Sequence, residues 1–516
     1  MAIREIIEAF SITDYLIIFA LIIATYVFNF YYKYLTRPNP LNGPFPLPFI
    51  GNLHNMVYDL RLFYAKCRQN YGDICEVTFD GTRAIIISRP EYAEKMIQSC
   101  ATRLPYNQGL EEYEFSNHGV AGNDDLKSWK CNKQFMDHVL VSPKFRDYTV
   151  NSMNKFFKEL NGYWQFLGMQ NVSNNKNDNN WTLETNLAEW FRAIANDTMS
   201  EIVTGECMSY AMASYYNMQS TVKHECPDAL IKDGNKFVKA LIYHLQGGMF
   251  FAMFGKFFRH YVPIIRDVAN SYLKNRAYMY ERLDHLIKTR REKIEKMPVG
   301  TEMESDMLTS LIILNTEKDN DKTKIKSIDG VSYEPMPDVE IRSILVEAMA
   351  VGSNSVKIDS VFSESSNLSY ETLLKLKYCE AIIKETIRMI PASLYITRYT
   401  TKEYEVAGYK WPAGTFFHIN LLGIQGHPEI WPNPESFDPD RFYNDNQNKI
   451  NYSLVLFGGG IRICPARKLS MIQLLLWMTL VYRNYNVELV NIHKPLKITG
   501  LSSSSIPELE VRISPR

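Results

Sequence analysis

Between Tyr15 and Tyr32 the chain reads YLIIFALIIATYVFNFYY, apolar or aromatic at every position except Thr25 and Asn29. A helix over that run rises ~27 Å, enough to cross a hydrocarbon core. The basic start, shorter apolar core and small-x-small site of a cleaved signal peptide are missing. Arg4 precedes the run, whereas Lys33 and Arg37 follow it. This bias predicts that residues 1–14 face the lumen, 15–32 span the membrane and the bulk of the chain stays in the cytosol. Residues 33–52 form a proline-rich hinge, with prolines at 38, 40, 44, 46 and 48 favouring a stiff extended spacer.

Beyond the hinge the hydrophobic period alternates between strand and helix. Glu76 to Ser88 reads as a hairpin turning at Asp80-Gly81, followed by Ala84-Ile85-Ile86-Ile87. Ser88 and Pro90 open a helix through Gln98. From Trp129 onward the pattern is largely helical, interrupted by polar loops at Asn171–Asn180 and Thr316–Pro335. Met336, Pro337 and Asp338 open a helix through Ile341, Leu345, Met349 and Gly352, and a second covers Tyr370 to Met389. Thr400–Asn420 carries short strands with a turn at Ala407-Gly408, and Pro465 starts an apolar helix through Tyr482. The expected fold class is mainly α with a small β region.

Composition narrows the function classes. Lys+Arg and Asp+Glu both number 57, so no basic surplus exists to hold nucleic acid over the whole surface. Eight cysteines are scattered with no C-x-x-C pair, the usage of reduced thiols in a cytosol-facing protein.

Seven of these cysteines read as small buried hydrophobes. Cys464 differs, because it follows Phe457-Gly458-Gly459-Gly460-Ile461-Arg462-Ile463 and precedes Pro465. The glycines allow a tight turn and a close backbone approach to a flat cofactor. Amides at a helix start favour a thiolate, the metal-binding form, and Arg462 can reach an anionic group on the same cofactor. A glycine-rich turn with a buried cysteine is the alternative from spacing alone.

This loop resembles that of the cytochrome P450 family, written F-x-x-G-x-R-x-C-x-G. Phe457, Gly460, Arg462 and Cys464 match it, while Ala466 replaces the last glycine. Further landmarks fall in order: Glu385-Thr386-Ile387-Arg388 as E-x-x-R, Phe437-Asp438-Pro439-Asp440-Arg441-Phe442 downstream, and His427-Pro428 with Trp431. By resemblance, Glu385, Arg388 and Arg441 form a buried ion network. Trp129 and Lys133 look like the family's W-x-x-x-R with lysine in place of arginine, and Arg398 falls where the family carries a propionate-binding arginine. The resemblance runs from about Pro38 to the end. It implies the cytochrome P450 fold as one catalytic domain over 53–516, with haem b (iron protoporphyrin IX) contacted by Trp129, Lys133, Arg398, Phe457, Gly460, Arg462 and Cys464, the last as iron ligand.

What the resemblance implies chemically is a monooxygenase that places one oxygen atom from O2 into a small lipophilic substrate. Electrons would come from an NADPH-dependent flavoprotein reductase at the endoplasmic reticulum membrane, and thiolate ligation favours O–O cleavage. The family's distal motif A-G-x-[DE]-T appears as Val351-Gly352-Ser353-Asn354-Ser355. Ser355 can hydrogen-bond to dioxygen and Gly352 leaves room for it, but Asn354 cannot release a proton as a carboxylic acid does. Only 29 residues separate Ser355 from Glu385, too few for the remainder of a long distal helix and another helix, so an internal deletion is expected after Val356. Two alternatives therefore stand: an inactive P450-like protein, and a haem-thiolate isomerase or dehydratase that needs no reductase. Leu104–Val120, Tyr210–Phe258 and Leu501–Ser505 are the expected pocket walls. Within them Gly247–Phe254 is either a membrane-dipping stretch or plain core.

Overall fold

A computed structural model describes residues 11–56, 59–79, 82–103, 108–170, 181–319, 325, 334–355, 373, 375–443, 452–499 and 504–516. The apolar N-terminal run forms the helix Ile12–Leu35, three residues longer at each end than the hydrophobic pattern alone predicts. Its start is fixed by a capping box, in which Ser11 accepts from the Asp14 amide while the Asp14 carboxylate accepts from the Ser11 amide. None of its residues is buried, and it is long and apolar enough to cross a membrane.

The hinge is more than a spacer. Tyr26 stacks on Phe49 at 4.3 Å between ring centroids, and Tyr31 on Phe45 at 5.4 Å. Arg37 and Arg83 both pair with the buried Glu76 carboxylate, which also accepts from the Leu41 amide. Asn52 closes the segment by donating to the carbonyls of Pro44 and Phe45. The prolines remove backbone donors, and side chains of the first strands take over the holding role.

Nine strands among the described residues form three sheets: β1 Ile74–Phe79, β2 Thr82–Ile87, β3 Leu183–Asn186, β4 Tyr395–Tyr399, β5 Tyr404–Val406, β6 Tyr409–Trp411, β7 Phe416–Asn420, β8 Tyr485–Leu489 and β9 Glu510–Pro515. The largest sheet runs β1-β2-β7-β4, with β2 and β7 parallel and the other neighbours antiparallel. The expected hairpin is β1–β2, in register from Ile74↔Ile87 to Phe79↔Thr82; its turn residues lie outside the described residues. The turn at Ala407-Gly408 joins β5 to β6, with both residues at positive φ. The helix after β2 spans Pro90–Ser99, but its N-cap is Arg89 rather than Ser88. The Ser88 hydroxyl is instead taken by the Asn420 amide of β7, so a long-range bond replaces the local cap.

The rest is helical and packs around two large apolar centres and a smaller one at Tyr113, Phe251 and Ala269. One gathers Trp164, Trp190, Ile382 and Leu476 from the helices Pro143–Gln170, Leu187–Thr204, Lys377–Met389 and Arg467–Asn484. The other gathers Met199, Leu283, Leu308, Ile344 and Met349 around the helix Asp338–Ser355. That helix opens where the sequence predicts and stays helical through Ser355. The second expected helix begins at Lys377 in the structure; residues 356–372, where the expected deletion falls, lie outside the described residues, as does the loop 171–180. Gly247, Gly248 and Phe251 are buried within the helix Asp228–Met253, while Met249, Phe250, Ala252, Met253 and Phe254 are partly exposed. All eight cysteines are free thiols.

Candidate functional site

The cysteine loop lies between a short 3-10 turn, Gly460–Arg462, and the helix Arg467–Asn484. The helix begins at Arg467, not at Pro465, because the Cys464 amide is drawn back to the Phe457 carbonyl at 2.9 Å. Cys464 is therefore held in the loop, one short turn ahead of the helix. Gly460 has φ +60, and a Cβ there would sit 2.3 Å from the Ile97 carbonyl oxygen. The glycine thus serves a close approach to the helix Pro90–Ser99. Phe457 is half-buried and Gly460 exposed.

Burial pushes the Cys464 thiol up from its ordinary value, while the Ala466 amide and the cations Arg103, Arg467 and Lys133 pull it back. That electropositive surround is one a thiolate requires. Lys133 is itself paired with Asp137 one turn on.

Around the loop stands a cluster of buried arginines. Arg462 is 2% exposed; it donates to the Ala101 carbonyl and to Asp124, and its guanidinium lies 4.2 Å from the centroid of the Trp129 ring. Arg398, on β4, is also 2% exposed and donates to the Thr397 carbonyl. Burial, reinforced by Arg103, lowers both guanidiniums to about 10. Arg103 donates to the carbonyls of Ala121 and Arg462. Sequence reasoning missed Arg103; nothing in its local spacing marks it, since its partners lie far along the chain.

Three buried donors here have no acceptor: Trp129 Nε1, Arg398 Nε and Arg462 Nη1. Buried donors of this kind are costly when unmatched. Mutually repelling guanidiniums beside an unmatched indole N–H suit a ligand that brings anionic oxygens, and haem brings two carboxylates. The residues present therefore fit a haem, with sulfur from Cys464 and donors from Trp129, Arg398 and Arg462.

Behind the loop, Arg388 forks onto Glu385 with N–O distances of 2.7 and 2.8 Å, and Arg441 Nε lies 3.4 Å from the same carboxylate. Glu385 is 0% exposed and Arg388 1%. The Asp438 amide also donates to Glu385, and Arg388 donates to the Gln425 carbonyl. All charges of the network are thus paired, the condition under which such burial is tolerable. His427 joins this side to the first strands through Asp73 at 3.2 Å.

On the helix Asp338–Ser355, Gly352 faces Met199; a Cβ there would lie 2.4 Å from the methionine Cε. Asn354 and Ser355 occupy its last turn.

The sequence matches the family model described as Cytochrome P450 over residues 41–330 and 356–514. The unmatched residues between, 331–355, hold the helix with Asn354 and Ser355. Among curated relatives, Cytochrome P450 3A25 of Mus musculus is 22% identical over 498 residues, covering 94% of this chain and 92% of that protein. Cytochrome P450 81F1 of Arabidopsis thaliana is 24% identical over 482 residues, covering 88% of each. Among solved structures, that titled retinoic acid bound cyanobacterial CYP120A1 superposes with a TM-score of 0.68 at 16% identity, covering 92% of this chain and 99% of that one. With a cysteine loop that matches the family pattern at Phe457, Gly460, Arg462 and Cys464, a paired carboxylate–arginine network and a family match over most of its length, the chain belongs to the cytochrome P450 family, whose members are haem-thiolate monooxygenases.

Proposed function

We propose that this protein is a membrane-anchored monooxygenase that places one oxygen atom from O2 into a small lipophilic molecule, using haem b held by Cys464. The observation that carries the reading is the set of unmatched buried donors on Trp129, Arg398 and Arg462 beside that sulfur. When bound, thiolate-ligated haem supplies an oxidant able to attack an unactivated bond. Cys464 would give the sulfur, stabilised by the Ala466 amide and by Arg103, Arg467 and Lys133. Arg398, Arg462 and Trp129 would take the two carboxylates, and Glu385, Arg388 and Arg441 keep the supporting backbone fixed. Ser355 would orient a hydrogen bond on the distal side; Asn354 can hydrogen-bond but cannot release a proton. Electrons would come from a separate NADPH-dependent flavoprotein reductase. The helix Ile12–Leu35 supports a single pass through the endoplasmic reticulum membrane with the catalytic domain on the cytosolic side.

A second reading has its own support. Residues 331–355 fall outside the family match, and Asn354 stands where the family places an acid. That combination favours a reductase-independent isomerase or dehydratase, or an inactive relative. Two measurements on purified full-length protein separate the readings. A reduced, carbon monoxide-treated spectrum with the thiolate band excludes a chain that no longer holds haem. Reductase-dependent oxygen consumption then supports the monooxygenase, and its absence in haem-replete protein overturns it.

A further inference from the structure

The helix Asp338–Ser355 carries two carboxylates seven residues apart, Glu340 and Glu347, and both bind the backbone of the loop 118–122. Glu340 meets His118 Nδ1 at 2.8 Å and accepts from the Gly119 amide at 2.9 Å. Glu347 accepts from the amides of Val120 and Ala121, each at 2.8 Å, and of Gly122 at 3.2 Å. Four consecutive amides thus end on two side chains of one helix. The fit is tight: Gly119 has φ +70, and a Cβ there would stand 2.7 Å from Glu347 Oε1.

The same loop reaches the arginine cluster. Arg103 Nη1 donates to the Ala121 carbonyl at 2.8 Å, and Arg103 Nη2 to the Arg462 carbonyl at 3.0 Å. Asp124 accepts from both the Arg103 amide and the Arg462 side chain. A continuous chain of hydrogen bonds therefore runs from Glu347 through the loop and Arg103 to the cysteine loop. Burial pushes the Glu347 carboxyl up to about 7, against the opposing pull of the three amides and of Arg103. The three amides donated to it use the acceptor capacity of this buried group directly.

We propose that Glu347 is a positioning residue that fastens the loop 119–122 to the helix Asp338–Ser355, so fixing Arg103 against the cysteine loop and closing the approach to the haem site. The proposal rests on the haem reading above. Glutamine cannot replace Glu347 fully, because its amide nitrogen presents donors to donors, whereas aspartate keeps both acceptor oxygens.

The test uses full-length haem-loaded protein in detergent, with imidazole as the probe of access to the iron, followed spectroscopically by stopped flow. Glu347→Gln should raise the imidazole association rate by about tenfold, the scale of one lost amide–carboxylate hydrogen bond. Glu347→Asp should recover most of the wild-type rate. Ser343→Ala, on the same helix but bonded only to the Val339 carbonyl, should leave it unchanged. Wild-type rates in Glu347→Gln, or an equal rise in Ser343→Ala, overturn the proposal. Hydrogen exchange of the wild-type chain provides an arm that needs neither variant nor haem. At pH 8 the amides of 120–122 should be protected well beyond those of the exposed turn 298–301. Equal exchange in the two segments overturns the latch, whereas failure to load haem bears only on the haem reading.

Discussion

Arg462 lies with its guanidinium 4.2 Å from the centroid of the Trp129 ring, and both residues keep a buried N–H without an acceptor. Stacking satisfies the face of the cation, Nε and Nη2 are taken by Ala101 and Asp124, and Nη1, with the indole N–H, is left for an anion. A third unmatched donor, on Arg398, shares the same electropositive surround.

This arrangement predicts opposite effects of one substitution on two forms of the protein. Arg398→Met removes a guanidinium repelled by Arg103 and Arg462, so the haem-free chain should keep or gain thermal stability. The same change should weaken haem retention by about ten- to hundredfold, the scale of a lost charge-assisted hydrogen bond. Thermal unfolding of both forms and haem transfer to an acceptor protein check the pair of outcomes.

Cys464→Ala should abolish the thiolate band of the reduced, carbon monoxide-treated protein while leaving far-ultraviolet circular dichroism near wild type. The loop is held by the Cys464 amide bond to Phe457, by glycine packing on Ile97 and by the bonds of Arg462 to Ala101, Asp124 and Arg103, none of which needs the sulfur.

Glu385→Gln should be among the most damaging single changes. It leaves Arg388, 1% exposed, with no anionic partner and Arg441 with only the more distant Asp438 carboxylate at 3.8 Å, a cost of about 3–5 kcal/mol. Denaturant unfolding should show this loss. Adding Arg388→Met should cost far less than the sum of the two single changes, because the surviving charge is what penalises each.

Two buried histidines predict acid sensitivity. Burial depresses His418 to about 3 and, with Arg276, His244 to about 4. In the unfolded chain both titrate near ~6.5. Their stabilising contribution is therefore present above that value and is lost as pH falls through the interval toward the folded values, where the unfolded chain binds protons the fold refuses. Unfolding midpoints between pH 7.5 and 4.5 should decline, and His418→Gln should flatten the slope by about one proton. An unchanged slope would show that His418 does not titrate on unfolding.

The features visible in sequence are those whose signal is local. The cysteine loop, the Glu385–Arg388 spacing, the β1–β2 pairing and the turn at Ala407-Gly408 each rest on residues a few positions apart. Where a distant partner competes, local rules gave way. Ser88 has the chemistry of a cap, yet its hydroxyl goes to Asn420; Pro465 suits a first helical turn, yet the bond from Cys464 to Phe457 delays the helix to Arg467. Arg103 and Glu347 were illegible for a related reason. Each looks like an ordinary charged residue in its own window, and each acquires meaning only from backbone groups brought to it by folding.

The aromatic pairs Tyr26–Phe49 and Tyr31–Phe45 join the N-terminal helix to the proline-rich hinge by ring faces rather than by a slack tether. Shortening the chain upstream of Pro38 would remove the rings stacked on both phenylalanines, already 59% and 42% exposed, and leave a greasy knob at the base of the freed body. Soluble expression should then improve when Phe45 and Phe49 are made polar together with the truncation, and aggregates should dominate when they are not.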